Sequence, residues 1–526
     1  MPAVDVYSTA VQMKGSSAPS HAVTELDRRR CLAYYLYENL YRNSFEAFAG
    51  SLRDTAGEEL SRRLVPVARK VIEATNRYLA ANPHFSLPAQ PAGGTNPTEE
   101  QAAAAVAALN SLWEREEVLA KLLSLKRWTL TRGDGIWHLT ADMSKPPGSR
   151  LSISELTPDA YFPIHDPLNS ERVIGCYLVN IVDVDDQTQV AMRMEYRRIL
   201  TPEDSANYSS PIGTVWQRLS FWEPDGWDDR AEHGLSEEDL APAAAAPSWA
   251  GSPSMAAILQ GTTLPARITS IPVYHFRNQR EGAGAFGVSE LQGMETLLAG
   301  ITQVATDEDI SVVLQGIGVY WTDSGKPTDE SGQEVDWEIS PATILELEAG
   351  KKIGRLQGAT DITSLLQHRT MLEGGVQDGT GTPSVAFGSV DQAPESGVAL
   401  EIRFAPIVSK NREKELELSS RLNHLVYDLL NGWFPEFEQL DFSGVLVHVD
   451  FDDALPIDRA AVFSEIMEMV KNKILSASYA RRLLNERLGY QIPEEVGTEL
   501  LDEQAAVLDM TGTRLDEAMP GDGEPA

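Results

Sequence analysis

Ile271-Pro-Val-Tyr-His-Phe-Arg-Asn278 is a short, partly alternating apolar run, and Phe286-Gly-Val-Ser-Glu-Leu291 leads from it into residues 288–313, where Leu291, Met294, Leu298, Ile301 and Val304 recur at intervals of three and four. A strand period followed by a helix period predicts a strand feeding a long helix. Upstream, residues 23–49 carry Tyr34, Tyr35, Tyr37, Tyr41 and Phe45 at helical spacings, and residues 62–81 predict a second helix. Residues 87–96, rich in Pro, Gly and Ala, read as a loop. Thr98 with Gln101 forms a capping-box pattern, and the alanine-rich run behind it predicts one long helix to residue 125. From Trp128 the pattern changes to β-like runs at 128–131, 136–142, 152–156, 173–184 and 190–200, a meandering sheet.

Downstream, 316–321 and 343–347 read as strands around an acidic loop, and Asp361 reads as the N-cap of a helix to about residue 374. Irregular stretches at 379–383 and 393–397 precede a helix over 410–433 with Leu418, Leu422, Leu425 and Leu429 on one face. A strand at 445–451 and helical sequence over 456–487 complete the ordered pattern, and the whole reads as an α+β chain. Residues 222–253 form an acidic, then Ala/Pro/Ser-rich insertion; from Asp502 onward an acidic tail holds seven carboxylates against Arg514.

With 526 residues the expectation is about three domains. Hydrophobic residues at 42% and charged residues at 23% argue against disorder as the dominant state. Forty-four Lys and Arg against 78 Asp and Glu leave a net charge of −34, the wrong sign for a protein that grips nucleic acid by neutralising phosphates, so any dealings with DNA are expected to be of another kind. Two cysteines, Cys31 and Cys176, cannot build a disulfide framework, so a reducing compartment is expected. Neither an export signal nor an apolar run of about 18 residues occurs, so no membrane partner is expected.

Gly282-Ala-Gly-Ala-Phe-Gly287 matches G-x-G-x-x-G, with Asp307 and Glu308 about 20 residues on. A dinucleotide site needs its first glycine directly after the strand and its acid at the end of a second parallel strand. Here four polar residues, 278–281, intervene, and the acids fall inside the predicted helix. The nine histidines show no H-E-x-x-H spacing, and neither G-x-S-x-G nor a P-loop lysine occurs. Clustered carboxylates such as Asp183, Asp185 and Asp186 read as solvated turns. No catalytic residue, cofactor or metal is therefore assigned, and the chain is not expected to be an enzyme.

The two runs around residues 271–291, together with Thr380-Gly-Thr-Pro383, Ser396-Gly-Val-Ala-Leu400 and the charged helix from Lys410, resemble the portal proteins of long-tailed bacteriophages over residues 25–500. That resemblance implies a ring, usually of twelve subunits, with wing, stem, clip and crown regions around a DNA channel at one capsid vertex of the virion, assembled in the host cytoplasm. Carried over, it implies a wing over 1–267, a strand and first stem helix over 268–314 (the helix at 288–314), and a clip over 315–360. A second stem helix over 361–378, a tunnel-loop region over 379–402, a long wing helix with return strand over 403–455, a crown over 456–510 and a flexible tail over 511–526 follow. The loop residues expected to face DNA are Phe387, Ser389, Val390, Asp391, Gln392 and Glu395; the clip residues expected to dock the motor or adaptor are Asp323, Lys326, Asp329 and Glu330. The implied partners are further copies of the chain, the large terminase subunit, a head-tail adaptor, the major capsid and scaffolding proteins, and double-stranded DNA.

The acidic balance suits such a channel, because a wall rich in Lys and Arg would hold the duplex and stall it. The same acidity could instead lie outside and keep a ring soluble. The leucine stripe at 418–429 is read as a core stripe within the chain in preference to a contact between subunits. A scaffolding protein without a channel and a dinucleotide enzyme stand as the other readings.

Overall fold

The computed structural model describes residues 25–44, 48, 63–88, 98–183, 189–222, 253–280, 285–317, 319–326, 332–334, 350–356, 362–388, 397–452 and 459–488. It divides into two compact units, Met1–Pro394 with Leu400–Ala454, and Glu395–Ala399 with Leu455–Ala526.

In the first unit, α1 (Glu25–Arg42) and α2 (Val67–Tyr78) pack on each other, and β1 (Ala81–Ser86) follows. The capping box forms as read: Gln101 N–H donates to Thr98 Oγ1 at 3.2 Å and Thr98 N–H to Gln101 Oε1 at 3.1 Å, opening α3 (Glu99–Arg115). The single helix expected to residue 125 is instead two, because α4 (Val118–Arg132) starts after Glu117 in a left-handed conformation. At the break the Glu116 carboxylate turns aside to accept from Ser152 Oγ (2.9 Å) and Ile153 N–H (3.1 Å), so it ties the kink to a sheet edge. Burial works against its charge, but these bonds and Lys121 hold its pKa below the ordinary value. Residues 128–131, expected as a strand, are the last turns of α4: Leu125 and Leu130 are fully buried, and core packing overrides the β-forming composition.

β2 (Asp134–Ala141) is the centre of a three-stranded antiparallel sheet, between β3 (Leu151–Leu156) and β9 (Val273–Arg277). A second sheet runs β4 (Tyr161–Asp166), β5 (Asn169–Asp183), β6 (Gln189–Arg198), β7 (Val215–Trp222) and β8 (Thr262–Thr263), all antiparallel. β4, β7 and β8 are additions to the strands expected from the sequence. Helices α5 (Pro202–Tyr208) and α6 (Pro253–Gln260) flank β7, and most of the acidic insertion lies outside the described residues.

The long helix after β9, expected from residue 288, begins seven residues later as α7 (Glu295–Ile317). Residues 288–290 spend their polar groups on tertiary bonds instead: Glu290 N–H donates to the Leu130 carbonyl (2.9 Å) and Ser289 Oγ to that of Thr131 (2.6 Å). A two-stranded antiparallel sheet of β10 (Val319–Thr322) and β11 (Ile353–Leu356) follows, then α8 (Thr363–Thr380). α8 has Ile362 at its cap without a side-chain bond; Asp361 and the strand expected at 343–347 lie outside the described residues. It runs through Gly374 and Gly375 and stops at Gly381, whose φ of +60° supplies the left-handed cap.

A 3₁₀ turn (Ser384–Phe387) precedes α9 (Gly397–Asp428), which begins inside the stretch expected to be loop; residues 389–396 lie outside the described residues. α9 passes into a π-helical segment (Leu429–Glu438) and β12 (His448–Asp452), which returns to pair antiparallel with β1. Leu418, Leu422, Leu425 and Leu429 are buried in the core of their own chain, as the within-chain reading has it. The second unit contains α10 (Arg459–Lys471) and α11 (Ala477–Leu488), closed by Ile466, Ala480 and Leu484. The acidic tail over 511–526 is outside the described residues.

Candidate functional site

α7 and α8 form an antiparallel pair: Met294 lies against Gly379, Leu297 against Gly375, Gly300 beneath Leu372, and Glu308 pairs with Arg369. Arg369 also meets Glu373 at 3.5 Å. The two helices together hold Glu295, Asp307, Glu308, Asp309, Glu373 and Asp378 against Arg369, so the pair is acidic and its cation is engaged. Val312 (50% exposed), Leu366 (39%) and Met371 (64%) stand on its outer surface.

At the root of the pair is a buried ionic joint. Glu290, 5% exposed, accepts from Lys410 Nζ at 2.6 Å and from Lys414 Nζ. Lys410 also donates to Thr75 Oγ1 (3.2 Å), to the Thr380 carbonyl (2.7 Å) and to Thr382 Oγ1 (3.2 Å), while Lys414 donates to Asn278 Oδ1 (2.6 Å). Burial alone would raise the Glu290 carboxyl, but Lys414 and Lys410 outweigh it and hold it at about 2. Burial pulls the Lys410 ammonium below its ordinary pKa, with Glu290 opposing. One joint thus ties α2, the exit of β9, the lead-in to α7, the end of α8 and the middle of α9. Nothing in the spacing announces it, since Glu290 and its lysines are more than a hundred residues apart.

The glycine-rich segment has a different role from the one its pattern suggests. Gly287 N–H donates to Asp134 Oδ1 (2.8 Å), which also meets His275 Nε2 (2.6 Å); Tyr34 donates to the other oxygen at 2.5 Å. A Cβ on Gly287 would run into the Gly133 carbonyl, so the glycine permits a close backbone crossing. Phe286 sits under the Arg30 guanidinium, 4.1 Å from the ring centroid, and Arg30 in turn donates to the Tyr161 carbonyl at 2.8 Å. β9 is antiparallel to its neighbour, and Asp307 and Glu308 lie within α7, so neither acid stands at the strand end that a dinucleotide site needs.

Of the residues singled out in the sequence, Asp323 is spent on its own hairpin: its Oδ1 accepts from Lys352 N–H at 2.6 Å. Lys326 is exposed. Phe387 is half-buried, in a cluster with Ala74, Tyr78, Ala386, Phe404 and Ile407, and therefore anchors the foot of its loop. Asp329, Glu330, Ser389, Val390, Asp391, Gln392 and Glu395 lie outside the described residues. Among the described residues no group of His, Cys, Asp and Glu could hold a metal ion, and no helix is long and apolar enough to cross a membrane.

No family model matches the chain, and no curated protein does. Solved structures similar to it include the neck of a native gene transfer agent particle computed with C12 symmetry (13% identity, 85% of this chain and 92% of that one, TM-score 0.40). The virion of a native gene transfer agent particle (12%, 85% and 93%, TM-score 0.39) and the neck of an empty one computed with C6 symmetry (12%, 85% and 93%, TM-score 0.42) are others. Overlaps this low carry no weight for function, which has to stand on the residues.

Proposed function

We propose that the chain is a portal subunit, a structural protein that closes into a ring at one capsid vertex and passes double-stranded DNA through its centre. The observation that carries this is the order α7, two-stranded β10–β11 sheet, α8, followed by the long α9 and a strand returning to β1. It corresponds to the stem, clip, stem and wing that the sequence resemblance implies. In this reading α7 and α8 line the channel, and their acidic balance lets a duplex slide without being held. The ring has twelve subunits; the β10–β11 tip docks the large terminase subunit and later the adaptor, and the capsid and scaffolding proteins contact the wing. The protein works by position and charge and catalyses no reaction.

The Glu290 joint then fixes the stem to the wing. Because every contact in a ring is made by one patch against a different patch of the next copy, Val312, Leu366 and Met371 supply one half of that interface. The test is a packaging assay on Asp391→Lys with Glu395→Lys. Rings should form normally while DNA packaging falls; packaging at the unaltered level by such rings would reject the DNA-facing loop.

A further inference from the structure

We infer that the α10–α11 unit carries a docking surface for the phosphate backbone of duplex DNA, a binding role that ring formation and sliding do not require. Residues 469–485 hold Lys471, Lys473, Arg481 and Arg482 and not one carboxylate, in a chain where acids outnumber bases 78 to 44. Lys473 lies in the short turn of residues 472–476, Lys471 ends the helix before it, and Arg481 and Arg482 lie in the first half of the helix after it. Lys471, Lys473 and Arg482 are exposed and Arg481 is half-buried.

The turn is built to present them. Lys473 has φ +60°, which reverses the chain sharply, and Ser476 caps α11, its Oγ accepting from Tyr479 N–H at 3.2 Å. The Arg482 guanidinium lies 4.7 Å from the centroid of the exposed Tyr479 ring. Ile474, 70% exposed, stands between the lysines and the capped helix. A helix, a short turn and a second helix, with lysines at the turn and arginines in the first half of the second helix, set four cations within reach of successive backbone phosphates.

Four phosphate contacts predict a specific salt dependence. With about 0.9 counterions released per contact, affinity for a labelled duplex of about 30 base pairs should fall roughly 100-fold between about 50 and about 200 mM salt. The experiment is fluorescence anisotropy on the full-length protein, with Lys471→Ala/Lys473→Ala as the variant, because both side chains are exposed and the fold does not need them. The log–log salt slope should drop from about −3.6 to about −1.8. An absence of binding at the lower salt, an unchanged slope in the variant, or competition by polyglutamate as strong as by unlabelled duplex would each overturn the proposal. Native mass of the same samples reads ring formation separately, so a failure here with rings present removes this surface alone.

Discussion

Glu290→Gln removes the carboxylate that faces two ammonium groups while keeping the shape of the side chain. Glu290 is 5% exposed and Lys414 7%, so water screens this pair little; Lys410 is at 20%. A carboxyl held at about 2 instead of its ordinary 4.5 contributes about 3 kcal/mol of folding stability. That agrees with the roughly 3–5 kcal/mol lost when one partner of a buried pair is deleted. The sign follows from the direction of the shift: a depressed carboxyl gives its full contribution above pH 4.5 and loses it as pH falls through about 2. Urea unfolding, followed by tryptophan fluorescence, should therefore place Glu290→Gln about 3 kcal/mol below the unaltered chain at neutral pH, with the gap closing on acidification. Equal midpoints at neutral pH, or a gap that widens in acid, would refute the reasoning about the joint.

Gly287→Ala should destabilise by about 1–3 kcal/mol, read as a lower Tm, because its Cβ meets the Gly133 backbone, which cannot swing aside. Val312→Asp with Met371→Asp should leave circular dichroism unchanged and reduce the native mass to that of single chains, since both side chains are exposed on the helix pair and stabilise only a neighbour's contact. Deleting residues 325–335 should preserve assembly and abolish terminase docking, measured by co-sedimentation with the large terminase subunit.

The sequence is most legible where a local rule decides. Thr98 and Gln101 announce a cap that forms as read, the leucines at 418–429 announce a core stripe, and 271–276 announces a strand because its neighbours in sequence are turn formers. Where tertiary contact decides, the reading slips. Trp128 to Thr131 have strand-forming side chains but fold as helix, and residues 288–294 have helical spacing, but Ser289 and Glu290 bond to the end of α4 instead. β1 falls between the helix expected to residue 81 and the loop expected from residue 87 and has no local signal, since its partner β12 lies more than 360 residues away. The joint is the hardest to foresee: Lys410 and Lys414 sit in a run of charges that looks solvated, and only the fold brings Glu290 to them.

The central claim is that this chain closes into a channel-bearing ring, and native mass measured together with negative-stain imaging of the purified protein tests it most directly. The account predicts particles with a central hole and a mass near twelve chains of 57.7 kDa. A stable monomer or dimer at high concentration, with no ring at any salt, would contradict it.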